Sequence, residues 1–257
     1  MSDPRSGRRI DVARRAPCPA LAGWVALLWT TRWDLQGQAP HVAEMITDPT
    51  VNLVIERGAS RLVGLQRRRF VRRLDGRGCM FGTRLRVGAI AALVPGDARQ
   101  WTDRVVALRD VLSIDVDALE LELEHAADDD AAFDALEQAW SGLAPTPTDE
   151  ARMVESIVQR IAADGAIVRV QQLEATWDLE ARVLQRLFAR HVGATPKWVI
   201  RRARLQEAAA RLASADPPPL AELAAVLAYA DQAHFARDFK ATIGVTPRAY
   251  VQRHRGG

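Results

Sequence analysis

The chain has 257 residues, 48% of them apolar and 26% charged, a balance that excludes a disordered or fibrous protein and suits one large domain or two ordinary ones. Its 35 Lys and Arg against 32 Asp and Glu leave a formal net charge of only +3, but the charges are segregated: residues 1–86 carry +9, residues 87–150 carry −12 and residues 151–257 carry +6. Two cysteines, Cys18 and Cys79, exclude a disulfide framework, a CxxC redox pair and a thiolate zinc site, and they suit a reducing cytosol.

At the N-terminus, Arg8-Arg9 and Arg14-Arg15 precede the apolar run Ala20–Trp29, which mimics a signal peptide. The run is shorter than the about 20 residues that a bilayer span needs. Arg32-Trp33-Asp34 separates it from the small residues Gly37-Gln-Ala39, so a buried strand is the preferred reading and the protein is expected to be cytoplasmic, with no membrane partner.

The first third reads as β. Val51–Ile55, Arg61–Leu65 and Phe70–Leu74 are candidate strands, and Asp75-Gly76 predicts a hairpin between the last of these and Cys79-Met-Phe81. Arg67-Arg68-Arg69 lies between strands without interleaved aromatics and is expected to be a solvated loop. Trp24, Trp29 and Trp33 are candidate walls of an effector pocket, although core packing is the more ordinary use of such residues.

From about residue 110 the pattern turns helical. Asp115–Glu124 supports one helix, and Asp128-Asp129-Asp130 breaks it and caps a second over Ala131–Trp140. Ser141–Thr148 has linker composition, and the domain boundary is placed there, giving domains 1–145 and 146–257. Thr146-Pro147-Thr148-Asp149 predicts a helix start with Thr146 as N-cap, and Met153, Ile157 and Ile161 then share one face up to Asp164-Gly165.

The C-terminal segment contains an internal repeat. Leu184–Pro196 aligns with Phe235–Pro247 at an offset of 51, with Arg186/Arg237, Phe188/Phe239, Gly193/Gly244, Thr195/Thr246 and Pro196/Pro247 identical. Each copy parses as a short helix (about 170–176 and 220–226), a tight turn and a second helix (about 181–191 and 231–241) closed by glycine. That is a helix-turn-helix, whose second helix enters a major groove. Opposite their apolar stripes the second helices present Arg182, Gln185 and Arg186 in the first copy, and Gln232, His234, Arg237 and Lys240 in the second. Arg and Gln make bidentate bonds to guanine and adenine edges. Between the copies Pro196–Ala213 forms a long helix of roughly 27 Å, comparable with one turn of B-DNA, with Arg201, Arg202 and Arg204 near its start. The fold class expected is therefore α+β for the N-terminal domain, mainly β and then helices, followed by an all-α domain with two helix-turn-helix motifs joined by a long helix.

Leu179-x-x-Arg182-x-Leu184-Gln-Arg-Leu-Phe188, Arg204-Leu-Gln-Glu-Ala208, Leu223-Ala224, Tyr229-Ala-Asp-Gln-Ala-His-Phe-x-Arg-x-Phe-Lys240 and Gly244-Val-Thr-Pro247 together resemble the AraC/XylS transcription regulators over about residues 150–255. More loosely, Val51–Val54, Phe81–Gly88 and Thr102–Val106 resemble the domain that precedes such motifs in one branch of that family. The resemblance implies that both motifs bind DNA and that the N-terminal domain senses an effector or dimerises. It also shows departures: Glu174, Asp178 and Glu180 stand where the family usually has Ala, Gly and Ser, and Ala228 replaces the turn glycine of the second motif. Carboxylates at a DNA-facing turn oppose phosphate, although Asp178 or Glu180 is also a candidate cap for the second helix.

The expectation is a sequence-specific DNA-binding transcription regulator and not an enzyme. The second motif (220–241) is taken as dominant and the first (170–191) as altered or weakened. Arg182, Gln185, Arg186, Gln232, His234 and Arg237 are assigned to bases, and Arg201, Arg202 and Lys240 to phosphate. Double-stranded DNA is the partner; RNA polymerase, a small-molecule effector and a second copy of the chain are compatible further partners. The alternative is a degenerate helix-turn-helix acting as a protein-interaction module, with the acidic block 87–150 lying over the basic C-terminal face. No cofactor or metal is expected, because His41, His125, His191, His234 and His254 lack ligand spacing. His41 and Glu44 are weighed as a base and its orienter, with an ordinary strand or surface pair preferred.

Overall fold

A computed structural model describes residues 9–45, 48–143 and 145–255, so Arg8 of the basic N-terminus and Ala144 of the linker fall outside the described residues. Among the described residues, eight strands come first: β1 (Arg9–Arg15), β2 (Val25–Asp34), β3 (His41–Met45), β4 (Asn52–Ile55), β5 (Arg61–Val63), β6 (Phe70–Leu74), β7 (Arg77–Leu85) and β8 (Val105–Ala107). The apolar run near the N-terminus supplies β2, in the interior of the sheet. Six strands form one antiparallel sheet in the order β1-β2-β7-β4-β5-β8, and β3 pairs with β6 in a second.

The hairpin predicted at Asp75-Gly76 is corrected. β7 is paired on both sides, with β2 and β4, and β6 pairs with β3 instead. The tight turn hands the chain from one sheet to the other, with Gly76 at φ +56°. Its carbonyls are held by the opposite corner: Leu35 N donates to Gly76 O at 2.7 Å and Trp33 Nε1 to Asp75 O at 3.0 Å. β2 and β7 thus leave the main sheet at the same level and continue as β3 and β6. His41 lies on β3, whereas the side chain of Glu44 falls outside the described residues.

Trp24 is core, while Trp33 and the partly buried Trp29 pack in the apolar layer that also holds Leu35, Leu74 and Phe70. Their indoles lie flat on Gly78 and Gly82, where a Cβ would come within 2.4 Å and 2.0 Å of ring carbons.

A short α1 (Ile90–Leu93) and the 3-10 turn Ala98–Trp101 precede α2 (Val116–Glu124) and α3 (Asp129–Ser141). Asp115 and Asp128 cap them by accepting from the N–H groups of Ala118 and Ala131. The two helices close the other side of the main sheet through a shared core that includes Leu119, Leu123, Phe133 and Leu136. Buried Trp140 donates from Nε1 to Thr83 Oγ1 at 2.7 Å.

This packing gives part of the charge segregation a structural partner within the N-terminal half, while Glu150 of the acidic block pairs with Arg190 of the C-terminal segment at 3.0 Å. Arg15 meets Asp134 at 2.7 Å and Glu137 at 3.3 Å, Arg32 meets Asp129 at 2.8 Å, and Arg57 pairs with Glu124. Acidic α2 and α3 therefore pair with basic residues from the preceding strands and loops. Such exposed pairs contribute little each, but they match one surface to the other.

Seven helices follow: α4 (Asp149–Ala163), α5 (Val170–Trp177), α6 (Ala181–His191), α7 (Pro196–Leu212), α8 (Leu220–Val226), α9 (Gln232–Ile243) and α10 (Pro247–Arg255). The N-cap of α4 is Thr148 and not Thr146: its side chain accepts from Ala151 N, leaving Asp149 and Glu150 in the first turn, where the helix dipole favours them. The helices pack around two separate apolar clusters. One joins α4, α5, α6 and the start of α7 with Leu65 and Val87 from the N-terminal half; the other joins the end of α7 with α8, α9 and α10.

Candidate nucleic-acid interface

Each half of the repeat builds a bent helix pair. In the first, α5 ends at Asp178 in the left-handed region (φ +49°), and α6 starts three residues later. Glu180 occupies its N-cap position without a side-chain cap bond, so the cap considered for these acids is not formed by Glu180. Asp178 instead serves the turn itself, since Asp tolerates this conformation better than most side chains. In the second, Ala228 takes φ +59° and Asp231 caps α9 by accepting from His234 N at 2.7 Å.

The inward stripes are fully buried: Leu184 and Phe188 in α6, Phe235 and Phe239 in α9. Their opposite faces are exposed. Arg182, Gln185 and Arg186 on α6, and Gln232, His234, Arg237 and Lys240 on α9, all lie open to solvent. α7, capped by Thr195 and opened by Pro196, spans 17 residues, or about 25 Å, and sets the two pairs apart.

The cationic residues on α7 divide. Arg202 is only 2% exposed, stacked over the Trp198 ring at 5.2 Å, and burial lowers its pKa. This corrects its assignment to phosphate, because its place on the helix turns it inward beside the N-terminal half. Arg201 reaches across to α9 and pairs with Asp238 at 2.6 Å. His234 Nε2 lies 3.8 Å from the same carboxylate, and the Tyr229 ring stands edge-on to His234 at 5.2 Å. Burial, with Asp238 adding to it, pushes the Tyr229 hydroxyl up to about 12. Arg201 thus braces the second recognition helix while remaining partly exposed. Arg204 is buried and donates to the carbonyls of Ile161 at 2.6 Å and Asp164 at 3.1 Å, tying the C-terminus of α4 to α7.

Sequence reasoning missed two of these roles. Asp238 sits four residues after His234 on α9, a spacing that signals a pair, but its link to Arg201 crosses between helices. The loop Arg67-Arg68-Arg69 was expected to be merely solvated. It instead reaches the second motif, with Arg67 and Arg68 lining a cleft of about 210 Å³ together with Arg201 and Arg202. Arg69 lies against Gly244, where a Cβ would be 2.4 Å from its guanidinium.

Residues 175–253 match the family described as a helix-turn-helix domain, and residues 13–107 match a domain of unknown function. No curated protein matches the chain. Among solved structures, the chain is similar to a probable AraC family transcriptional regulator from Rhodopseudomonas palustris, at 27% identity over 40% of this chain and 97% of that one, with a TM-score of 0.37. It is also similar to the C-terminal domain of AraT, a response regulator from Geobacillus stearothermophilus (20% identity, 41% and 86% covered, TM-score 0.35). A third likeness is to ToxT from Vibrio cholerae bound to an unsaturated fatty acid (12% identity, 100% and 99% covered, TM-score 0.41).

Proposed function

Because residues 175–253 form a helix-turn-helix domain of the AraC type, we propose that this chain is a sequence-specific DNA-binding transcription regulator, with residues 1–145 as its regulatory domain and 146–257 as its reader. The observation that carries the reading is the doubled geometry: two exposed polar and basic helix faces, on α6 and α9, joined by the single long helix α7. Arg182, Gln185, Arg186, Gln232, His234 and Arg237 would meet base edges, and Lys240 would meet phosphate. Arg201 acts first as a positioning residue for α9.

The second motif is proposed as dominant. Glu174, Asp178 and Glu180 surround the turn of the first and repel phosphate, whereas the corresponding stretch of the second carries one carboxylate, Asp231, engaged as the cap of α9. Binding-site selection from random DNA at two salt concentrations tests the whole reading. Recovery of one enriched sequence, with affinity that falls as salt rises, is the expected result. No enriched sequence at either concentration overturns it in favour of a protein-interaction module.

A further inference from the structure

The N-terminal half contains a second candidate site, away from the DNA-reading helices. Between the main sheet and α2 lies a cavity of about 250 Å³ with Trp33 and Phe81 among its walls. Three carboxylates line it, and their situations differ. Glu56 accepts from both Arg61 at 2.7 Å and Arg72 at 2.5 Å, and Glu124 pairs with Arg57. Glu120 has no ion-pair partner among the described residues. It is only 7% exposed, its Oε2 accepts from Gly58 N at 2.6 Å, and its Oε1 is buried with no hydrogen-bond partner among the described residues.

A carboxylate buried without a cation is costly, and a donor that reaches it offsets that cost. The guanidinium of Arg57 sits at the rim, 69% exposed and already engaged, and Arg77 is likewise exposed. The interior of the cavity therefore sets Glu120 beside aromatic surface, where the Phe81 ring already carries the Arg32 guanidinium at 5.2 Å and Trp33 supplies a second wall. The terminal torsion of a glutamate is soft, so its carboxylate turns toward a donor at little cost.

We propose that this cavity binds a small primary amine in its ammonium form, with the charged head on Glu120 and an apolar or aromatic body against Trp33 and Phe81. The site is independent of the DNA reading, because its occupancy is measured without DNA. Isothermal titration of the full chain with phenethylamine, and with the neutral 2-phenylethanol, separates charge from shape. The amine is expected to bind and the alcohol to bind at least about tenfold more weakly, as loss of a charge-assisted hydrogen bond requires. Glu120→Gln keeps an acceptor for Gly58 N and is expected to weaken the amine by about tenfold while leaving the melting temperature of the free protein within a few degrees. Equal binding of amine and alcohol, an unchanged Glu120→Gln, or no binding of the amine to the wild-type chain each overturns the proposal.

Discussion

The two helix-turn-helix units share a sequence pattern, but they are embedded differently. The first shares its apolar core with Leu65 and Val87 of the N-terminal half. Thr102 Oγ1 donates to Gly193 O at 2.8 Å beside it, and Arg86 pairs with Glu155 of α4 at 2.8 Å. The second has a core of its own, around Phe235 and Phe239, and a small basic loop is what reaches it from the N-terminal half. A repeat in sequence therefore does not imply a repeat in mechanics. The first unit is built into the N-terminal half, and the second projects from it on α7.

The largest expected difference lies at the paired glycines. Both are left-handed, Gly193 at φ +85° and Gly244 at φ +93°. An added Cβ at Gly193 would come within 2.5 Å of Thr102 Oγ1 and 2.9 Å of the Ala98 carbonyl, whereas at Gly244 it meets the movable end of Arg69. Gly193→Ala should cost about 2–4 kcal/mol, strain and backbone clash together, and Gly244→Ala about 1–2 kcal/mol. Thermal unfolding of the two variants checks this; equal losses would mean that the first unit is no more tightly bound to the N-terminal half than the second.

Next in size is the effect on DNA binding. Arg237→Ala should lower affinity for a selected operator by about tenfold to hundredfold, the worth of a bidentate base contact of about 1–3 kcal/mol. Arg186→Ala should cost about threefold, because acids crowd the turn beside it and the contact starts weaker. A larger loss for Arg186→Ala in a titrated gel shift would reverse the proposed order of the motifs.

Much of the helical half was legible in the sequence, because its signals are local. α6 and α8 begin and end where glycine, proline and apolar spacing put them, and Thr195-Pro196 starts α7 as cap and first residue. The sheet was less legible. Asp75-Gly76 is a sound hairpin signal, yet which strands pair was decided by partners far away in the chain, β3 for β6 and β2 with β4 for β7. The same distance hid the inward turn of Arg202 and the link from Arg201 to Asp238. Charge segregation was visible, but the laying of acidic helices against basic strands needs the fold.

A smaller effect distinguishes the two turns. Ala228 holds a left-handed conformation without a side chain that favours it, while Asp178 has one that tolerates it. Ala228→Gly should raise stability by about 1 kcal/mol, and Asp178→Gly by less, in chemical denaturation. The reverse order would show that the neighbours of Asp178 strain its turn more than its conformation alone does.

The smallest expected effect, on pH dependence, again belongs to the first unit. His191 on α6 is buried, with Nδ1 lacking a hydrogen-bond partner among the described residues and Nε2 3.5 Å from Glu150. Burial lowers its pKa from the ordinary 6.5; the hydrogen bond to Glu150 and the more distant Asp97 oppose this, and Arg190 adds to it. The unfolded chain therefore takes up the proton first. The stability that neutral His191 confers is complete above 6.5 and is lost as pH falls from there through the lower folded value. The ring also lies against Gly88 of the N-terminal half, so protonation loosens the joint that the second unit lacks. His191→Gln should flatten the stability-against-pH curve in that window, and the wild-type ring should titrate by NMR below an ordinary histidine. An unchanged slope in the variant would remove pH response as a difference between the two units.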